Sequence, residues 1–64
     1  MNFPKNLQNI RESYKLTQVT LAKETGLTRS MIASYEQGVA EPTFCNLLKI
    51  ANFLNVSTDV LIKK

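Results

Sequence analysis

Two segments of helical length, joined by only three residues, constrain this chain more than any other feature: Leu16 to Gly38 reads LTQVTLAKETGLTRSMIASYEQG. Thr17 is a natural N-cap, because its hydroxyl can accept one of the backbone N–H groups that a helix start leaves without a partner. Leu21 and Ala22 then supply an inward face until Gly26, a residue free to take the left-handed conformation that ends helices. Thr28 caps again, Ile32 and Tyr35 face inward, and Gly38 closes the second segment. The spacing predicts helices over 18–25 and 29–37, turned by Gly26, Leu27 and Thr28. Ala22 is small enough to let the two helices approach closely.

The remainder extends this helical pattern without adding a different one. Phe3, Leu7, Ile10 and Tyr14 recur at helical spacing beside Pro4, which suits a first turn, so a first helix is expected to end near Lys15. The segment VAEPT reads as a loop, since the residue before Pro42 is biased away from helical dihedrals, and Thr43 can cap the next helix. Phe44, Leu47, Leu48, Ala51 and Leu54 form the stripe of this fourth helix, ending near Asn55, which tolerates the left-handed conformation. Ser57 or Thr58 then caps a short last helix carrying Val60, Leu61 and Ile62. The expectation is all-α: one five-helix domain over residues 1–64, with no strand.

A domain of 64 residues buries only about 60% of its unfolded surface, so its core has little to spare. The chain has one cysteine, Cys45, and no histidine, which leaves no disulfide framework and no ligand set for zinc. No metal or other cofactor is expected. Neither a secretory leader nor a membrane-spanning run is legible, which makes the cytoplasm the expected compartment. The net charge of +3 favours a polyanionic partner without identifying one. No dense basic patch exists, so position must matter more than total charge.

A nine-residue helix is about 13 Å long and matches a DNA major groove about 12 Å wide. The outer face of 29–37 is Arg29, Ser30, Ala33, Ser34 and Gln37. A plain helical hairpin with a solvated outer face has the same geometry, and that reading stays open on spacing alone.

Further along the chain the matches accumulate: LTQ at Leu16 to Gln18, LA at Leu21 and Ala22, the turn Gly26-Leu27-Thr28, Ile32, YEQG at Tyr35 to Gly38, EP at Glu41 and Pro42, LLKIA at Leu47 to Ala51, and Leu54 with Val56-Ser57. In these residues the chain resembles the Cro and phage-repressor type of helix-turn-helix family, also called XRE-like. The resemblance implies a lambda-repressor-like fold with the helix-turn-helix over 17–37 and double-stranded DNA as partner. It implies that the third helix recognises DNA, with Arg29, Ser30, Ala33 and Ser34 toward base edges. Arg29 is the strongest of these, because a guanidinium can donate two hydrogen bonds to guanine O6 and N7.

By the same resemblance Gln18 would hold a phosphate at the positive end of the second helix. Arg11, Thr17, Thr28, Gln37 and Thr43 are further backbone candidates, although Thr17 and Thr28 serve equally as caps and Arg11 equally as a solvated charge. Glu36 is expected to turn toward the protein and support the fold. Met31 either touches a thymine methyl or covers the core. Two departures from the family pattern stand out: the loop after Gly38 reads Val39, Ala40, Glu41 where relatives are commonly basic, and Ala33 and Met31 replace longer polar residues.

Ile50 and Phe53 lie off the expected stripe of the fourth helix. Either the last helix covers them or, with Val60 and Ile62, they form a two-fold interface. A homodimer would place two recognition helices on half-sites about 34 Å apart. The leading expectation is a transcriptional regulator, a repressor acting as a homodimer on a palindromic operator. The alternative is a protein-interaction module, such as an antitoxin or regulatory partner, working through the last two helices. Enzymatic function has little support, with no histidine base, an isolated thiol and no phosphate-cradling glycine loop. No small-molecule ligand is expected either.

Overall fold

The computed structural model describes residues 2–63. It contains five helices in chain order: α1 (Phe3–Ser13), α2 (Gln18–Thr25), α3 (Arg29–Gln37), α4 (Phe44–Leu54) and α5 (Thr58–Ile62). No strand occurs among the described residues. Helix α1 packs on α3 and α5, α2 packs on α3 and α4, and α4 packs on α5.

Local chemistry sets the boundaries of α2 and α3 where the sequence puts them. Thr17, Thr28 and Thr43 each hold extended backbone dihedrals and accept a hydrogen bond from the N–H three residues on, at Thr20, Met31 and Asn46. Gly26 and Gly38 have φ of 75° and 76°, the conformation glycine adopts without a Cβ penalty. The N–H groups of Leu27 and Val39 close the two helix ends by donating back to the carbonyls of Ala22 and Ser34.

The end of α1 differs from the expectation. The helix stops at Ser13, and Lys15, not a glycine, takes the left-handed turn at φ 58°. Leu16 N–H then donates to the Arg11 carbonyl. Tyr14 accordingly leaves the inward stripe; it is exposed, and its hydroxyl donates to the Leu54 carbonyl at 2.6 Å. Asn55 ends α4 in the left-handed conformation as expected. Ser57 occupies the N-cap of α5 without a side-chain capping bond.

The core is Phe3, Leu7, Leu21, Ala22, Ile32, Tyr35, Ile50, Ala51, Leu54 and Leu61, and the rings of Phe3 and Tyr35 meet edge to face at 5.8 Å. Helix α4 is therefore rotated relative to the expected stripe. Leu47, Ile50, Ala51 and Leu54 face inward, whereas Phe44 is 70% exposed and Leu48 lies at the surface. Both stripes share Leu47, Ala51 and Leu54, and the packing of α4 against both α2 and α5 accompanies the one that is realised. Ile50, at 0% exposure, is thus a core residue and not available to a second copy; it is withdrawn from the expected interface. Ile62 is half-buried and packs against the chain's own core.

Candidate nucleic-acid interface

Helix α3 is gripped on one side and open on the other. Ile32 and Tyr35 are buried, Met31 packs against the core, and Arg29, Ser30 and Gln37 are exposed, with Ala33 and Ser34 half-buried between them. The side chains expected to meet base edges thus share the side of α3 opposite its anchors, at the one-turn spacing that brings residues four apart onto one face. For Met31 the core-covering alternative is the one realised.

Short side chains give this face a low profile. Ser30, Ala33 and Ser34 keep the helix axis able to approach a flat partner closely, while Arg29 alone has a long reach and a forked donor. Three helix starts carry threonine caps, so the hydroxyls of Thr17, Thr28 and Thr43 already accept backbone N–H groups. Each exposed hydroxyl retains a proton to donate, and Thr17 uses its own toward Thr20 Oγ1 at 3.0 Å.

A polar network behind the helix pair is the feature sequence reasoning missed. Arg11 Nε donates to Glu36 Oε2 at 2.6 Å and Arg11 Nη2 to Glu36 Oε1 at 3.1 Å. Arg11 Nη1 donates to the Leu16 carbonyl at 2.6 Å, and Gln18 Nε2 reaches Glu36 Oε1 at 3.1 Å. The Arg11 and Glu36 side chains are only 11% and 5% exposed. Glu36 turns inward as expected. Arg11, expected to reach a phosphate or lie in solvent, is instead a strut between α1, α3 and the α1–α2 connection; its guanidinium is occupied with internal acceptors. The hydrogen bond to Glu36 is the main cause that raises the Arg11 pKa above its ordinary value, outweighing the burial that opposes it. Its sequence signal was faint: Arg11 follows Leu7 by four residues, which puts it at the edge of the inward face of α1.

Two smaller links complete the frame. Asn46 Nδ2, on α4, donates to the Tyr35 hydroxyl at 3.1 Å, leaving that hydroxyl's own proton to donate elsewhere. Asn6 Nδ2 bonds the carbonyls of Leu61 and Lys63 and holds the end of α5 against α1. The loop after α3 is exposed at Val39, Ala40 and Glu41 and offers no cation. Among the described residues no cluster suited to a metal ion is present, and no helix is long and apolar enough to cross a membrane.

This frame matches known proteins over almost its whole length. The helix-turn-helix family profile covers residues 7–61. The chain belongs to the helix-turn-helix family of DNA-binding transcriptional regulators. It is 43% identical over 61 residues to the HTH-type transcriptional regulator YqaE of Bacillus subtilis, an alignment covering 95% of this chain and 53% of that protein. The chain thus spans about half the length of this relative. Among solved structures it is similar to the restriction-modification controller protein C.AhdI of Aeromonas hydrophila, with a TM-score of 0.91 and 33% identity, covering 95% of this chain and 92% of that one. It is also similar to the P22 c2 repressor crystallised with a synthetic operator, with a TM-score of 0.92 and 28% identity, covering 98% of this chain and 96% of the repressor. The helix-turn-helix of this family corresponds here to α2 and α3.

Proposed function

We propose that the chain is a sequence-specific transcriptional regulator, a repressor that binds a palindromic operator as a homodimer with α3 in the major groove. One observation carries this reading: α3 is anchored by Ile32, Tyr35 and the buried Glu36, and its opposite side presents Arg29, Ser30, Ala33 and Ser34. The low profile of that side suits entry into a groove, and Arg29 supplies the bidentate donor that distinguishes guanine. Gln18, Thr28, Gln37 and Thr43 take the phosphates, joined by Thr17 when its hydroxyl proton turns away from Thr20; such contacts fix register without carrying sequence information. Arg11 acts from behind, through Glu36. The similarity to a repressor solved with its operator supports the same docking.

Phe53, 38% exposed on α4, together with the half-buried Val60 and Ile62, is the surface proposed for the two-fold contact. The cytoplasm is the compartment this function requires, and the reading includes no catalytic activity. Selection of bound sequences from a random DNA pool tests it. The expected result is a two-fold symmetric consensus with half-sites one helical turn apart; no enrichment at low salt would exclude the reading.

A second reading rests on the exposed apolar residues Phe44 and Phe53 of α4. In it the fold is a protein-interaction module of the antitoxin or regulatory-partner kind, and the same selection would recover nothing.

A further inference from the structure

Glu36 does more than pair with Arg11. Both of its oxygens already accept from the guanidinium, Oε2 from Nε at 2.6 Å and Oε1 from Nη2 at 3.1 Å. That alone satisfies the buried ion pair. Yet Oε1 also accepts from Gln18 Nε2 at 3.1 Å, a bond that joins the first residue of α2 to the last turn of α3. A carboxylate offers about four lone-pair sites, so the third donor fits without displacing the other two.

The bond fixes which way the Gln18 amide faces. A carboxamide can turn over and exchange its carbonyl for its NH2 group, and the two orientations present opposite chemistry to a neighbour. Because both Glu36 oxygens accept from Arg11, the orientation that aims the Gln18 carbonyl at them sets two acceptors against each other. The other orientation spends one Nε2 hydrogen on Oε1 and leaves the second free to donate. A free donor is what a phosphate oxygen needs; a carbonyl in its place would repel it. Arg11 makes this arrangement tolerable, because it neutralises the carboxylate that would otherwise stand close to an incoming anion.

We infer that Glu36 is a positioning residue for DNA binding, which holds the Gln18 amide in the donor orientation that receives a backbone phosphate. The inference rests on the proposed function, in that it takes Gln18 as a phosphate contact. It assigns no contact with DNA to Glu36 itself.

A double-mutant cycle on operator affinity tests it, using an operator obtained by selection, with each variant assayed below its melting temperature. Gln18→Ala should weaken binding about tenfold, the scale of one hydrogen bond to a charged group. Glu36→Gln has one acceptor oxygen where three donors converge, and should weaken binding by a similar factor. In the Gln18→Ala background, however, Glu36→Gln should change affinity by less than about twofold, since the group it orients is gone. Equal losses in both backgrounds would overturn the positioning role while leaving the DNA contact of Gln18 intact. No loss from Gln18→Ala would overturn both. Should Glu36→Gln fail to fold, NMR of the unmodified protein decides: one Gln18 side-chain amide proton is expected to be protected from solvent exchange and the other not. Exchange of both at the rate of a free glutamine would overturn the inference.

Discussion

At the scale of single residues, the left-handed position at Lys15 is the clearest mismatch between a side chain and its backbone. A residue with a Cβ at φ 58° carries a steric cost of about 1 to 2 kcal/mol relative to glycine, part of which glycine returns through its greater unfolded freedom. Lys15→Gly is expected to stabilise the fold by about 0.5 to 1 kcal/mol, read as a raised midpoint in urea unfolding with unchanged slope. Asn55 has the same φ, but its short polar side chain tolerates that region, so Asn55→Gly should gain less. On the DNA side, Arg29→Ala should cost about 1 to 3 kcal/mol and relax preference at one base position. Gln18→Ala should instead weaken all sequences alike, and because the amide is uncharged the slope of log affinity against log salt should stay as it was. A slope altered by Gln18→Ala, or an unchanged base preference after Arg29→Ala, would refute that division.

At the scale of elements, the buried Arg11–Glu36 pair joins α1 to α3, and its removal separates repair from damage. Breaking a buried pair by deleting one partner strands the other's charge, at a cost of about 3 to 5 kcal/mol, whereas replacing both by apolar groups is often close to neutral. Arg11→Met alone is therefore expected to bring the protein near unfolding at room temperature. Arg11→Met combined with Glu36→Leu should recover most of the loss in thermal denaturation. Legibility in the sequence divides along the same line, between contacts made locally and contacts made across the fold. The limits of α2 and α3 are legible because Thr17, Gly26, Thr28 and Gly38 act on their own neighbours. Lys15 ends α1 without any of the usual turn signatures, and the buried face of α4 depends on tertiary packing against α2 and α5. The Arg11–Glu36–Gln18 network spans 25 residues of chain and has no local pattern, so Arg11 reads as a surface cation. The outward face of α3 is legible as the complement of Ile32 and Tyr35.

At the scale of the whole molecule, the face of α4 that builds the core and the face proposed for assembly are different, and this makes the two separable. A chain of this size holds roughly 3 to 10 kcal/mol of stability, and truncating a buried Ile costs about 2 to 5 kcal/mol. Ile50→Ala should therefore lower the melting temperature sharply and reduce DNA binding only by depleting folded protein. Phe53 is 38% exposed and lies outside the core cluster, so Phe53→Ser should destabilise the fold less than Ile50→Ala. If it lies on the two-fold surface proposed here, Phe53→Ser lowers the melting temperature less than Ile50→Ala does but shifts sedimentation from dimer to monomer. Its operator binding should then rise with the square of protein concentration at levels where the unmodified dimer binds in simple proportion. The reason is mass action: an unassembled protein must bring two copies to adjacent half-sites, and the association otherwise completed beforehand becomes part of the binding step. A Phe53→Ser protein that sediments and binds like the original would place the two-fold contact elsewhere on the surface, with the exposed Phe44 and Leu48 on the neighbouring part of α4 the next residues to substitute.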